Sequence, residues 1–86
     1  MEKETKHILE KIRQKRVEKK MSIMSLANKV GISHSHLYYI ERKDVIPSID
    51  LLIKIVKALD CSLIDILLES SQYYSEQNQL TPPPNS

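Results

Sequence analysis

The sequence contains no phenylalanine and no tryptophan, and four tyrosines are the only aromatic residues among its 86. Any hydrophobic core must therefore be built from Leu, Ile, Val, Ala and Met side chains. Glycine occurs once, at Gly31, and proline only at Pro47 and in the run 82–84. So few helix-breaking residues favour an all-helical protein. A chain of this length has room for one domain with one modest core.

Cysteine is equally scarce, because Cys61 is the only one. A single thiol can form neither an internal disulfide nor a cysteine-based metal site, and a reducing cytoplasm suits it best. No apolar stretch follows the charged residues 1–4, and no apolar run approaches the ~20 residues of a membrane span. We therefore expect a cytoplasmic protein without signal peptide, membrane association or cofactor.

The net charge of +2 conceals an uneven distribution. Residues 1–43 carry 11 Lys and Arg against five Glu, whereas residues 44–86 carry two Lys against six acidic residues. A basic half of this kind suggests a surface that faces phosphates. A solvated helix face explains the same charges equally well, and both interpretations stay open.

Start and stop signals predict five helices, in each of which apolar residues recur at helical spacing. Four serines stand at predicted N-caps, Gly31 suits a left-handed C-terminal residue, and Asp65 completes a capping box. The predicted helices begin near Thr5, Ser22, Ser33, Ser48 and Ser62 and end near Lys19, Gly31, Arg42, Asp60 and Glu69. We place Val17, Ile49 and Leu67 on the inner faces. Residues 1–7 form a charged extension, 8–69 the domain, and 70–86 a polar, proline-rich tail that we expect to be partly disordered.

Residues 22–42 carry the most informative pattern. Two short amphipathic helices are separated by the tight turn Val30-Gly31-Ile32-Ser33, which is typical of a helix-turn-helix. The small side chain of Ala27 lets the second helix pack closely through Leu37 and Ile40. One face of that helix, from Ser33 to Arg42, is then free to enter a major groove ~12 Å wide.

These residues resemble the helix-turn-helix family of the phage repressors, Cro and the xenobiotic-response-element regulators. The resemblance implies an all-α, compact five-helix bundle of the lambda-repressor type, and a transcriptional regulator that binds double-stranded DNA. The matching residues are Ile12-Arg13 and Arg16, then Ser22, Leu26-Ala27 and Val30-Gly31-Ile32-Ser33, then Leu37 and Ile40-Glu41-Arg42, and finally Pro47-Ser48, Leu52, Val56, Ala58-Leu59, Ser62-Leu63 and Ile66-Leu67.

The resemblance also implies which residues read bases. His34, Ser35 and Tyr39 occupy the positions that face base edges, and His36 lies on the same exposed arc. Tyr38 could reach either a base or a phosphate. Side chains of these types can donate to or accept from groove edges, or touch a thymine methyl. The alternative is a polar surface helix that reads nothing.

Phosphate contacts are implied for Ser22 and Arg42, with Lys29 and Lys43 nearby. The backbone amides of Ile23 and Met24 could bind a phosphate at the helix N-terminus. Two residues depart from the family pattern. Ile23 stands where glutamine is usual and cannot donate a side-chain hydrogen bond, and Lys43 replaces a frequent glycine.

Arg16 and Glu41 match a family pair that forms a partly buried ion pair between the first and third helices. The alternative for Arg16 is a charge that faces DNA. Losing either partner of such a pair would leave a buried charge and destabilise the fold.

Several apolar residues exceed what the core needs. Leu51 stands where the family has a polar residue, and Ile64 and Leu68 lie one turn apart on the outer side of helix five, with Leu67 adjoining them. Such stripes often mark interfaces, although the tail could instead cover them. We predict a homodimer through helix five, with two recognition helices ~34 Å apart and a palindromic operator.

Other functions have less support. An antitoxin-like protein-interaction module could use the same helix-five residues. His34 and His36 point about 200° apart on a helix and make poor metal co-ligands. No acid orients a histidine near Ser33, and no glycine-rich phosphate loop is present, so catalysis is not expected. Interleaved Glu residues argue against a membrane-bound first helix. We expect a repressor without a small-molecule ligand domain.

Overall fold

The computed structural model describes residues 1–77, with side chains as far as Ser70. This range contains five helices and no strand, which confirms the predicted all-α fold. The helices are α1 (Lys3–Glu18), α2 (Ile23–Val30), α3 (His34–Glu41), α4 (Ile49–Ala58) and α5 (Leu63–Gln77). Helix α1 begins before Thr5, and α5 continues past Glu69 because no Gly or Pro interrupts residues 70–77. The rest of the predicted tail lies outside the described residues.

Serine side chains cap the start of every helix after α1. The Oγ atoms of Ser22, Ser33, Ser48 and Ser62 each accept a hydrogen bond from the backbone N–H three residues later, at 3.0–3.1 Å. Each bond satisfies an N–H that has no partner within the helix. All four caps are local, so the sequence was sufficient to predict them.

Helices α1 to α4 all end with a residue in the left-handed conformation. Gly31 takes φ 88°, and Lys20, Lys43 and Asp60 take φ 57°, 68° and 56°. After α3, the Lys43 amide donates to the carbonyl of Ile40, and the next amide donates to the carbonyl of Tyr39. This is the Schellman pattern. Lys43 therefore ends α3 as glycine would, with the conformational strain of a side chain added.

Among the side chains as far as Ser70, ten are fully buried and form one core with members from all five helices. Helix α1 packs against α3 and α5, while α2 packs against α3 and α4. Ala27 lies in this core with Leu37 and Ile40, as the close approach of α2 and α3 requires. The core residues are Leu9, Ile12, Leu26, Ala27, Leu37, Ile40, Ile55, Val56, Leu59 and Ile66.

Three residues that were predicted to face inward are exposed, so those predictions were wrong. Val17 lies about 140° around α1 from Ile12, at ~100° per residue. Ile49 is the first residue of α4 and lies beyond the buried cluster. Leu67 lies one residue past the buried Ile66, which turns it toward the solvent side of α5. Within residues 1–77, no helix is both long and apolar enough to cross a membrane.

Candidate nucleic-acid interface

Helix α3 presents one polar and aromatic arc to solvent. Its buried residues Leu37, Ile40 and Glu41 lie on the opposite side. The exposed His34, Ser35, Tyr38 and Tyr39 share an arc of about 140° at ~100° per residue, and the exposed His36 lies at its edge. We call the five exposed residues of this arc, including His36, the α3 arc.

Two tyrosine rings dominate the C-terminal part of the α3 arc. The ring centroids of Tyr38 and Tyr39 lie 5.3 Å apart, and the planes meet at 74° in an edge-to-face arrangement. Both side chains are exposed. Edge-to-face packing restrains both rings without burying them, so α3 presents a partly ordered aromatic surface.

Arg42, at the end of α3, connects to Tyr38 and to Asp44. Its Nη1 donates to Tyr38 Oη at 3.0 Å, and its Nε donates to Asp44 Oδ2 at 3.1 Å. The guanidinium carbon lies 5.5 Å from the centre of the Tyr38 ring. The pKa of Arg42 is raised above its ordinary value. The main cause is the hydrogen bond to the Tyr38 hydroxyl, and the Asp44 carboxylate raises the pKa further. Asp44 was not predicted from the sequence, although an acid two residues after a predicted phosphate ligand was a usable signal.

The predicted phosphate contacts of α2 lie at its two ends. The Ser22 hydroxyl accepts the cap hydrogen bond and keeps its own proton for donation. Ile23 is half-buried against the core, so only its backbone amide can meet a phosphate. The amides of Ile23 and Met24 precede the first helical hydrogen bond, which runs from Leu26 N to the carbonyl of Ser22. Lys29 is exposed in the last turn.

Lys43 points to α1. Its Nζ donates to Glu10 Oε1 at 2.9 Å, and the side chain is partly buried. The hydrogen bond from Lys43, with smaller contributions from its charge and from Arg13, lowers the pKa of Glu10 below its ordinary value. This lysine joins the end of α3 to α1, and the arrangement does not favour the phosphate contact predicted for it.

Arg16 and Glu41 meet between α1 and α3. The Arg16 side chain is 11% exposed and that of Glu41 5%. Arg16 donates from Nε and Nη2 to the two carboxylate oxygens, and from Nη1 to the carbonyl of Met21. Little of the guanidinium is left for DNA, so the geometry favours the structural interpretation over a DNA-facing charge.

Ion pairs occupy much of the basic half of the chain. At least six of the 11 basic residues in 1–43 lie within 4.0 Å of a carboxylate, and three of the acidic partners come from the second half, namely Asp44, Asp60 and Glu69. The charge asymmetry of the sequence is therefore partly neutralised by folding. The paired basic residues are Arg13, Lys15, Arg16, Lys19, Arg42 and Lys43.

An apolar stripe lies on the outer face of α5. Ile64 is 68% exposed, Leu67 43% and Leu68 58%, and their i, i+3, i+4 spacing places them on one face. We call these three residues the α5 stripe. Leu51 is half-buried and packs against the core, so it is not part of this surface. Among the described residues, no three His, Cys, Asp or Glu side chains are grouped to hold a metal ion.

Comparison with known proteins agrees with this geometry. A helix-turn-helix family model, HTH_3, matches residues 12–66. Two crystal structures of the clp gene regulator ClgR from Corynebacterium glutamicum are similar in fold. One has a TM-score of 0.77 and 25% identity over 87% of this chain and 80% of that chain. The other has a TM-score of 0.74 and 26% identity over 80% and 88%.

No curated protein matches the sequence. The family model nevertheless covers well over half of the chain, from α1 into α5. This match confirms the family that the sequence motifs indicated. The chain belongs to the Cro/C1-type helix-turn-helix family, whose members are DNA-binding transcriptional regulators.

Proposed function

We propose that the protein is a sequence-specific repressor that binds a palindromic operator as a homodimer, with α3 in the major groove. The observation that carries the proposal is the α3 arc, a continuous exposed surface of His, Ser and Tyr side chains on the second helix of the motif. In this motif the N-terminal residues of the second helix contact base edges.

Base reading is assigned chiefly to three residues of the α3 arc. His34 and Ser35 follow the cap at Ser33 and can donate to or accept from base edges, while the Tyr39 ring can contact a thymine methyl. His36 lies at the edge of the arc and has a smaller part. These contacts set the sequence preference.

Phosphate contacts flank the α3 arc and hold the protein in register. On one side we assign the Ser22 hydroxyl and the first amides of α2, at Ile23 and Met24. Lys29 and Arg42 complete the set. Lys43 is left out because its ammonium is directed at Glu10 of α1.

The α5 stripe supports the homodimer. Three neighbouring apolar side chains on one helix face are costly to leave in water, and a two-fold axis beside α5 would bury them against their own copies. Leu51 is left out of this interface because it packs against the core. Repression needs no further contact, since a dimer that occupies promoter DNA excludes other proteins from it.

Selection of binding sites from random duplex DNA tests the proposal most directly. We expect an inverted repeat whose half-sites are about one helical turn apart. Binding should also weaken steeply as salt rises, because phosphate contacts release counterions. A single asymmetric site would contradict the homodimer, and failure to enrich any sequence would contradict sequence-specific binding. A reporter gene whose promoter carries the selected site should be expressed at a lower level when the protein is present. Higher expression would contradict repression.

Sedimentation tests the α5 stripe itself. The double variant Ile64→Glu, Leu68→Glu should sediment at half the mass of the parent. Val17→Glu is the control, because it also places a carboxylate on an exposed apolar position, on α1 and away from the α5 stripe. An unchanged mass in the double variant would remove α5 from the interface.

The second candidate is an antitoxin-like protein-interaction module, and the exposed α5 stripe is the observation that favours it. A parent chain that is monomeric, and whose DNA binding is indifferent to salt, would support this candidate over the repressor.

A further inference from the structure

We infer that Tyr38 and Arg42 bind one DNA backbone phosphate together, and that Asp44 positions the arginine for this contact. Tyr38 then belongs to the phosphate-binding residues, which leaves base reading to the N-terminal part of the α3 arc and to Tyr39. The inference rests on the proposed insertion of α3 into the major groove.

The hydrogen-bond inventory of the two side chains supports a shared ligand. A guanidinium has five N–H donors, and Arg42 gives one to Tyr38 Oη and one to Asp44 Oδ2. Three N–H groups remain on an exposed side chain. Because Tyr38 Oη accepts from Arg42, its own proton is free to donate to another group. An O–H donor and a cationic N–H donor are therefore held 3.0 Å apart.

A phosphate fits these donors better than a base edge does. A non-bridging phosphate oxygen is anionic and accepts several hydrogen bonds at once, and bonds to a charged acceptor are the stronger kind. Position argues the same way for Arg42, because it is the C-terminal cap of α3 and follows every residue to which base reading is assigned.

Asp44 has a role that is unexpected for an acid near DNA. Its carboxylate accepts from Arg42 Nε, and the Tyr38 ring packs beside the same guanidinium. Two restraints on one flexible side chain reduce the rotamer entropy that DNA binding would otherwise cost. Asp44 is accordingly a positioning residue, since it acts through Arg42 and contacts no DNA.

Methylphosphonate scanning tests the shared phosphate. Each phosphate of the selected operator is replaced in turn by a neutral methylphosphonate, and binding is measured for the parent, Tyr38→Phe and Arg42→Gln. We expect one position in each half-site at which the parent loses about tenfold in affinity and both variants lose less, because each variant has already lost its part of the contact. Tyr38→Phe alone should weaken binding about three- to tenfold, equally for the operator and its single-base variants.

Tyr39→Phe is the matched control, since it removes the same hydroxyl from the neighbouring ring. Tyr39→Phe should lose as much affinity as the parent when the shared phosphate is replaced by a methylphosphonate. The inference is overturned if no phosphate is shared by Tyr38 and Arg42, or if Tyr38→Phe relaxes the preference at one base pair. Absence of any DNA binding by the parent would instead overturn the proposed function.

Two variants isolate the role of Asp44. Asp44→Asn keeps an oxygen acceptor for Arg42 Nε and removes the charge, whereas Asp44→Ala removes both. If Asp44 positions Arg42, replacing the shared phosphate by a methylphosphonate should cost the asparagine variant as much affinity as it costs the parent. The same replacement should cost the alanine variant less. An effect that is unchanged in the alanine variant would overturn the positioning role.

Discussion

Arg16 of α1 and Glu41 of α3 are joined by two hydrogen bonds, from Nε to Oε2 at 2.7 Å and from Nη2 to Oε1 at 2.9 Å. The third donor group of the same guanidinium, Nη1, reaches the carbonyl of Met21, just before α2 begins, at 2.7 Å. One side chain thus connects α1, the entry to α2 and α3. This contact adds to the core packing that holds α3 against its two neighbours.

Arg16→Ala should lower the free energy of unfolding by about 3–5 kcal/mol, because it leaves the Glu41 carboxylate buried without its cation. Urea unfolding followed by far-UV circular dichroism measures the loss. Arg13→Ala is the control, since Arg13 pairs with Glu10 on the surface, and it should cost at most about 1 kcal/mol. Equal losses in the two variants would contradict a special role for the buried pair.

The left-handed helix ends predict stability changes of opposite sign. Gly31→Ala should destabilise by about 1 kcal/mol, although nothing lies within 4 Å of the added methyl, because the cost comes from φ alone. Lys20→Gly should stabilise by a similar amount, since Lys20 holds φ 57° with a side chain. Thermal unfolding of both variants checks the pair. If Gly31→Ala stabilised the protein, the backbone at residue 31 would have left the left-handed conformation at little cost in free energy.

The Lys43–Glu10 contact predicts a pH dependence. Because folding lowers the pKa of Glu10 from its ordinary 4.5, the contact stabilises the protein above that pH and the contribution is lost as the pH falls through the lowered value. Lys43→Met should therefore cost at most about 1 kcal/mol at neutral pH, as is usual for a partly exposed pair. The difference from the parent should vanish in acid. Unfolding midpoints measured across the acid range test this.

Lys20→Met is the control for that experiment, because Lys20 has the same left-handed conformation at the end of α1. Its difference from the parent should not change with pH in the acid range. A pH-independent effect of Lys43→Met would show that the loss comes from something other than the carboxylate.

Base-reading and phosphate-binding residues should respond differently to DNA sequence. His34→Ala and Tyr39→Ala should each reduce discrimination between the operator and single-base variants by about 1–3 kcal/mol. Arg42→Ala should weaken all sequences alike and reduce the salt slope by about 1. Titrations of operator variants at two salt concentrations separate the two behaviours. Unchanged affinities in all three variants would contradict the roles assigned to the α3 arc and to Arg42.

The sequence was most informative where the cause of structure is local. Serine caps act over three residues, and the turn at Gly31 acts over five, so both could be predicted from neighbouring residues. Apolar spacing likewise located all five helices. It located the buried faces less well, because Leu67 and Val17 fit the pattern and are nevertheless exposed.

The sequence by itself therefore determined the helices and their caps, because these depend on contacts between residues close in the chain. It also determined the family, through motifs of fixed spacing. The tertiary structure decided which charges remain available to DNA. Lys43 pairs with a residue 33 positions away and Lys15 with one 54 away, and neither pair was predicted. The Arg16–Glu41 pair spans 25 positions and was expected only through the family resemblance. Such pairs form only when helices pack, because an unpaired buried charge is costly and packing sets which carboxylate is within reach. Arg42, by contrast, binds Tyr38 and Asp44, both within four residues of it in the chain, and stays exposed at the end of α3.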